Sequence, residues 1–200
     1  IADVLEKAGV TRLMTIDLHS SSIQGFYNIP VIHLNGNKVF IDYIKSLDLE
    51  DICIVAPDQG AVKRASDFCK AFPDATFAMI NKRRIKPNEV HSMELVGDVK
   101  DKNIIIVDDM ADTGGTLKKA AGLMMESGAK SVRAVATHGV LSGMAYDNIN
   151  SSVLSELIVS DSISKPGISD KIKYISCSKL ISKSITALVQ KKSIHELNLV

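Results

Sequence analysis

Ile104-Ile105-Ile106-Val107, running straight into Asp108-Asp109-Met110-Ala111-Asp112-Thr113-Gly114-Gly115-Thr116, constrains this chain more than any other stretch. Four β-branched residues in succession read as a strand buried on both faces, the habit of a parallel sheet covered by helices. Leu117, Ala120, Ala121, Met124 and Met125 then recur at helical spacing. The acidic, glycine-bearing stretch is therefore expected to be a loop from the carboxyl end of a strand into a helix, where open α/β sheets bind ligands. Gly114 and Gly115 let the backbone approach a ligand, the Thr113 and Thr116 hydroxyls can donate hydrogen bonds, and the helix N–H groups favour an anion. Asp108 and Asp109 can accept from a diol or hold a divalent cation. A sugar phosphate satisfies both ends. The plainer alternative is a turn with a helix cap.

Composition narrows the classes. Two hundred residues suit one large domain or a domain and a half, and 46% hydrophobic content provides for a sizeable core. A net charge of +1 argues against a dedicated nucleic-acid or membrane-surface protein. Aromatic residues are 4% and Trp is absent, which disfavours base-stacking platforms. Cys53, Cys69 and Cys177 are scattered without CxxC spacing, so buried thiols in a reducing compartment are expected. No apolar run approaches the length of a membrane span. Ile1 already sits in a helical pattern that ends near Gly9, so the sequence is expected to be a piece of a longer chain.

Taken in order, Arg12 to Ile16 is expected as a strand with Asp17-Leu18-His19 at its end. Residues at i and i+2 of a strand point the same way, so Asp17 and His19 could aim at one cation or phosphate. Ile29-Pro30-Val31 closes a polar segment, and a helix starts near Lys38. Ile52-Cys53-Ile54-Val55 predicts a second buried strand, with Pro57-Asp58-Gln59-Gly60-Ala61 as another acidic strand-to-helix loop. Two such loops on neighbouring strands build a crevice at one edge of a sheet. Between Asn81 and Ser92 the cations Lys82, Arg83, Arg84 and Lys86 crowd together. This is either a solvated hairpin or a basic loop that closes over phosphates. Further strands are expected near Glu94, Val135, Leu157 and Ile175, and a last helix from Ser178 to about Gln190. The expected fold class is α/β, a mostly parallel sheet flanked by helices.

Asp108 to Thr116 resembles the phosphoribosyl-binding motif of the type I phosphoribosyltransferase fold. There, two adjacent acids meet the ribose hydroxyls and the following loop wraps the 5-phosphate. Over the whole chain the resemblance narrows to the ribose-phosphate pyrophosphokinase family. It rests on Asp17-Leu18-His19 with Ile23-Gln24-Gly25-Phe26, on Val55-Ala56-Pro57-Asp58, and on Lys82 to Met93. Val96-Gly97-Asp98-Val99-Lys100, Val107 to Thr113, and Ala136 to Gly143 complete it.

The resemblance implies transfer of the diphosphoryl group of ATP to the C1 hydroxyl of ribose 5-phosphate, with Mg2+ as cofactor. It implies Asp17, His19 and Asp58 as metal contacts, and His19 and Gln24 as ATP contacts. Lys82 and Arg84 become the loop cations of the transition state. Asp108 and Asp109 meet the ribose hydroxyls, and Asp112, Thr113, Gly114, Gly115 and Thr116 hold the 5-phosphate. It further implies a cytoplasmic homo-oligomer, in the family a hexamer built from dimers, with no nucleic-acid or membrane partner. The expected division is 1–37 as the remnant of an N-terminal phosphoribosyltransferase-like domain, 38–187 as the catalytic domain and 188–200 as a tail. The preceding part of the family chain is expected to be missing, leaving this piece inactive alone. Arg83 departs from the family pattern between the two loop cations, where many members have an acid; Ile32-His33 and the tail also depart, and these latter regions touch regulation rather than the substrate site. Two other classes stay open, a non-catalytic regulatory relative and a nucleobase phosphoribosyltransferase. The latter has no need for Asp17-Leu18-His19 or the Lys82 loop.

Overall fold

The computed structural model describes residues 1–83, 92–163 and 169–194. Of the expected site residues, Arg84 and the side chain of Lys82 lie outside the described part, as do Lys86, the Pro166-Gly167 loop and the tail from His195. The chain opens with α1 (Ala2–Lys7), β1 (Leu13–Ile16), a 3-10 turn (Ser21–Phe26) and β2 (Val31–Leu34). Strands β1 and β2 form a two-stranded parallel sheet, Leu13 opposite Val31 and Ile16 opposite Leu34. Strand β2 was not expected, because the Ile29-Pro30-Val31 run looks like a closing turn.

The remaining elements are α2 (Asn37–Ser46), β3 (Ile52–Ala56), α3 (Val62–Cys69), β4 (Thr76–Arg83) and β5 (Ser92–Val96). Then come β6 (Asn103–Ala111), α4 (Gly115–Glu126), β7 (Ser131–Gly139), α5 (Ala145–Asn150), β8 (Glu156–Ser160), β9 (Ile172–Ile175) and α6 (Ser178–Val189). The boundary expected after residue 187 falls inside α6, where Leu188 and Val189 continue the helix. Seven strands form one sheet in the order β5-β4-β3-β6-β7-β8-β9. Each described neighbour pair is parallel except β4 with β5. The expected mostly parallel α/β sheet is thus present.

The reason lies in the pattern of β6. Ile104 through Val107 are all fully buried. Because successive side chains of a strand alternate faces, Ile104 and Ile106 join one core and Ile105 and Val107 the other. The first core packs Leu117, Ala120, Ala121 and Met124 of α4 against the sheet, with Ala145 and Ile149 of α5. The second packs Phe40 and Ile44 of α2 and Ala65 and Phe68 of α3 against the opposite face. A strand buried on both faces must be covered on both, which is what fixes the three-layer arrangement. Among the described residues, no helix is long and apolar enough to cross a membrane.

At the amino-terminal edge of the sheet, a polar network crosses the first residues of three strands. Asn103 donates through Nδ2 to Glu50 O at 2.7 Å, and Ser131 Oγ donates to Asn103 Oδ1 at 2.6 Å. Arg133 donates to Ser131 Oγ and, through Nε, to Glu156 Oε1, both at 2.9 Å. The Tyr43 hydroxyl completes the set by donating to Glu156 Oε2 at 2.7 Å. Arg133 and Glu156 are only 18% and 17% exposed. Removing one partner strands a mostly buried charge, so Glu156→Ala should cost about 3 kcal/mol. The urea midpoint should fall with little change in slope. A midpoint equal to that of the unmodified protein would show the network to be dispensable.

Candidate active site

The sheet order contains a reversal. From β3 the chain moves outward to β4 and β5, then returns so that β6 lies on the other flank of β3. Such a switch point leaves a crevice beyond the carboxyl ends of the two central strands, the usual ligand site of an open α/β sheet. Pairing of β3 with β6 ends at Val55–Ile106, whereas β6 stays paired with β7 as far as Ala111–Gly139. Strand β6 therefore overruns β3, and Asp58 on the β3–α3 loop faces the exposed flank of the overrun. Together Asp58, Asp108, Met110 and Asp112–Gly114 line a cavity of about 260 Å3 with Thr116.

Asp108 and Asp109 were expected in a loop, both turned to one ligand. They belong to the strand instead, because β7 keeps pairing alongside them. Strand alternation then sends them different ways. Asp108 lines the cavity, while Asp109 accepts a hydrogen bond at Oδ2 from His19 Nδ1 at 2.9 Å. The two remain in electrical contact, with Asp109 N donating to Asp108 Oδ1 at 2.9 Å. Burial pushes the Asp108 pKa up to about 7, helped by the hydrogen bond and charge of Asp109 and by the charge of Asp58. Burial also works against charge on Asp109, but the hydrogen bonds with His19 and Asp108, and the Arg64 guanidinium, hold its pKa below the ordinary value. His19 is raised by its hydrogen bond to Asp109 and by that charge. Asp109 thus keeps the negative charge of the pair, and Asp108 is the acid whose charge burial and the neighbouring acids disfavour.

Beyond Ala111 the chain turns into α4 through Gly114, at φ 73. A side chain there would be strained by the left-handed backbone and would press on Ala145 O and Ile149. No side chain caps α4 at Gly114, and the first-turn N–H groups of a helix have no partner within it, an arrangement suited to an anion. The loop is braced from outside. Ser142 N donates to Asp112 O at 3.1 Å, and its hydroxyl bonds the Asp112 carboxylate. Asn148 Nδ2 donates to Thr113 O at 2.9 Å. Asp112, Thr113 and Thr116 are exposed at the rim.

Asp17 departs from expectation. Strand β1 stops at Ile16, and Asp17 takes a left-handed φ of 42, which breaks the alternation that would have aligned it with His19. Its buried carboxylate turns inward. Oδ2 meets Arg64 Nη1 of α3 at 2.5 Å, accepts from Thr137 Oγ1 of β7 at 2.5 Å, and accepts from Gly36 N at 3.1 Å. A Cβ on Gly36 would overlap both Asp17 and Thr137. His19 instead points out, 74% exposed, toward Asp109. Gln24 lies in the 3-10 turn, its amide 3.2 Å from Ser21 O and 3.4 Å from His33 Nδ1.

Arg64, Thr137, His138 and His33 received no individual role from the sequence. His138 Nε2 faces Ile16 O and Asp17 O at 3.1 and 3.2 Å, and so donates there. His33 Nε2 accepts from Leu18 N at 2.9 Å. Burial lowers the His33 pKa, with the Arg64 and Lys63 charges adding to it, which favours the neutral ring that this acceptor role requires. The only available signal was the Thr137-His138 pair at the end of a buried strand, and it does not say what the pair touches.

Among the described residues, no three His, Cys, Asp or Glu side chains gather tightly enough to hold a metal alone. Magnesium usually takes one or two carboxylates plus substrate phosphates. Asp58 and Asp108, which line one cavity, fit that mode. Asp17 does not, since Arg64, Thr137 and Gly36 already engage its oxygen. Lys82 lies on β4 at the same carboxyl edge, three residues beyond Met79, which is level with Ala56.

Fold and site together define an α/β protein whose mostly parallel sheet carries an acidic strand end beside a glycine-bearing loop into a helix. Comparison with known proteins sharpens this. The family described as phosphoribosyl synthetase-associated domain matches residues 73–198. A ribose-phosphate pyrophosphokinase of Porphyromonas gingivalis is 44% identical over 198 residues, and one of Bacillus caldolyticus is 46% identical over 199; both alignments take in 98% of this chain. The crystal structure of phosphoribosylpyrophosphate synthetase from Mycobacterium smegmatis superposes with a TM-score of 0.85 at 36% identity, covering 95% of this chain and 62% of that one. The chain belongs to the phosphoribosyl synthetase-associated domain family. It spans 63% of the length of these two curated relatives.

The His33 contact can be tested directly. His33→Leu keeps the volume but leaves the Leu18 N–H without its acceptor, at a cost of about 1–3 kcal/mol. Amide exchange measured by mass spectrometry should speed up in the peptide spanning Asp17 to Ser20. Unchanged exchange there would remove the contact from the account.

Proposed function

We propose that this chain carries the catalytic site of a ribose-phosphate pyrophosphokinase, which transfers the diphosphoryl group of ATP to ribose 5-phosphate. The observation that carries the reading is the convergence of Asp58, Asp108 and the Asp112–Thr116 loop on one cavity at the switch point. The likeness to the pyrophosphokinases of Porphyromonas gingivalis and Bacillus caldolyticus supports it.

In this reading the 5-phosphate rests on the N–H groups and hydroxyls from Thr113 to Thr116, and Asp108 accepts from a ribose hydroxyl. Asp109 acts beside it and holds His19 toward the phosphates of ATP. Gln24 supports the same segment through His33. The C1 oxygen attacks the β-phosphorus, the bond to the α-phosphate oxygen breaks, AMP leaves, and the C1 hydroxyl proton is released. Asp58 and Asp108 would hold Mg2+, which would supply charge neutralisation during the transfer. The chain's own task is positioning and charge stabilisation, the main contributions to phosphoryl transfer. Lys82 and Arg84 are proposed as the cations that meet the charge of the transition state. The complete protein is proposed to act as a cytoplasmic homo-oligomer. The segment before Asn37 is proposed to belong to a second domain of like design, and the residues after α6 to a tail.

Two measurements on the complete protein test this. Asp108→Ala should raise KM for ribose 5-phosphate at least tenfold, about 1.4 kcal/mol, and by clearly more than it raises KM for ATP. Equal loss of both would remove Asp108 from the sugar site. Lys82→Ala should lower kcat by about a hundred- to a thousand-fold, roughly 3 to 4 kcal/mol, with little change in KM, because the cation meets charge that develops during transfer. Near-normal turnover would leave the basic stretch a solvated hairpin.

A further inference from the structure

A second cavity, of about 530 Å3, lies between α2 and α6 and shares no lining residue with the Asp58–Asp108 cavity. Its size falls within the range of small-molecule sites. Ile41 and Tyr43 of α2, Ile175 of β9 and Leu180 of α6 give it an apolar floor. Tyr43 is fixed, because its hydroxyl is tied to Glu156. A ligand that fills this floor needs an apolar body.

The rim is of one sign. Lys38 and Lys45 stand on the α2 side and Lys179 and Lys183 on the α6 side, against the single carboxylate of Asp42. Lys179 and Lys183 are four apart on one helix, a spacing at which like charges repel. Two ammonium groups are also drawn over ring faces. Lys45 Nζ sits 5.7 Å from the Phe72 centroid, and Lys173 Nζ sits 4.1 Å from that of Tyr43. The Lys38 pKa is lowered by burial and by the charge of Lys183. A half-enclosed cleft lined by one sign of charge over low-dielectric walls concentrates the opposite ion. Since the protein as a whole carries only +1, this density is local.

We propose that the groove between α2 and α6 is a binding site for a small amphipathic organic anion. Its flat or aliphatic body lies on Ile41, Tyr43, Ile175 and Leu180, and its phosphate, sulfonate or carboxylate head lies among the lysines. The site is separate from the sugar-phosphate cavity, and the proposal stands independently of the reaction assigned there.

The test is a fluorescence titration of the complete protein with 8-anilinonaphthalene-1-sulfonate, an aromatic anion with both required features. Saturable one-to-one binding is expected, weakened at least tenfold in the double variant Lys38→Gln/Lys183→Gln. Lys119→Gln/Lys130→Gln, on lysines outside the groove, should bind as the unmodified protein does. Neutral N-phenyl-1-naphthylamine should bind at least tenfold more weakly than the sulfonate, and inorganic pyrophosphate should displace the sulfonate poorly. Absence of saturable binding would overturn the proposal. So would equal affinity in the Lys38→Gln/Lys183→Gln variant, or equal affinity for the neutral compound. If the variant alters only the assembly state in sedimentation and leaves probe binding intact, the groove is an interface between copies and the proposal also fails.

Discussion

The Asp17 carboxylate is the interaction on which the arrangement of the site depends. Three donors from different places converge on its Oδ2: Arg64 from α3, Thr137 from β7 and the N–H of Gly36 ahead of α2. That convergence joins the two-stranded sheet to the seven-stranded one. A buried carboxylate without those partners would be costly, and the partners without it would be left with unpaired polar atoms. Its left-handed backbone turns the next residues outward, where His33 holds the Leu18 N–H and His19 reaches Asp109. The outward His and the inward Asp are thus two results of one local distortion.

The two edges of the main sheet use polar groups for opposite ends. At the amino-terminal edge, Asn103, Ser131, Arg133, Glu156 and Tyr43 satisfy one another, and the network has no visible ligand left to meet. At the carboxyl edge, acids stand close enough to oppose one another's charge. Asp108 is pushed up to about 7 by burial and by neighbouring acids, a strain that a cation or a diol would relieve. Stability is concentrated at one edge and chemistry at the other, as the crevice rule for open α/β sheets implies.

Much of this was legible in residue order. Ile104 to Val107 announced a doubly buried strand, and Leu117 to Met124 announced the helix over it, because both patterns are local and periodic. What escaped was set by distant neighbours. The strand character of Asp108 to Ala111 comes from Ala136 to Gly139 pairing alongside, and nothing in an Asp-Asp-Met-Ala sequence signals that. Strand β2 was hidden because Pro30 suggests a turn, although it precedes the first paired residue, where a proline costs the ladder nothing. The role of Arg64 depends on a carboxylate 47 positions earlier in the chain, a pairing that no spacing rule reports. Sequence located the strand-to-helix edge well and the individual side-chain partners poorly, since the former follows from periodicity and the latter from tertiary geometry.

The reversal of strand order at β3 has a consequence for how the molecule is made. The central pair, Ile54 beside Ile105, closes only after α3, β4 and β5 have been threaded out and back. Contacts so far apart in the chain carry a large loop-closure entropy and slow the search for the native state. The antiparallel β4–β5 pair, by contrast, is a near neighbour in sequence and can form early. The notch between Asp58 and Asp108 exists only once the slow closure is complete, so a partly folded chain holds the acids without the crevice. Binding competence should then appear with the last cooperative step of folding, and a nascent chain that has not yet emitted β6 has no partial form of the site.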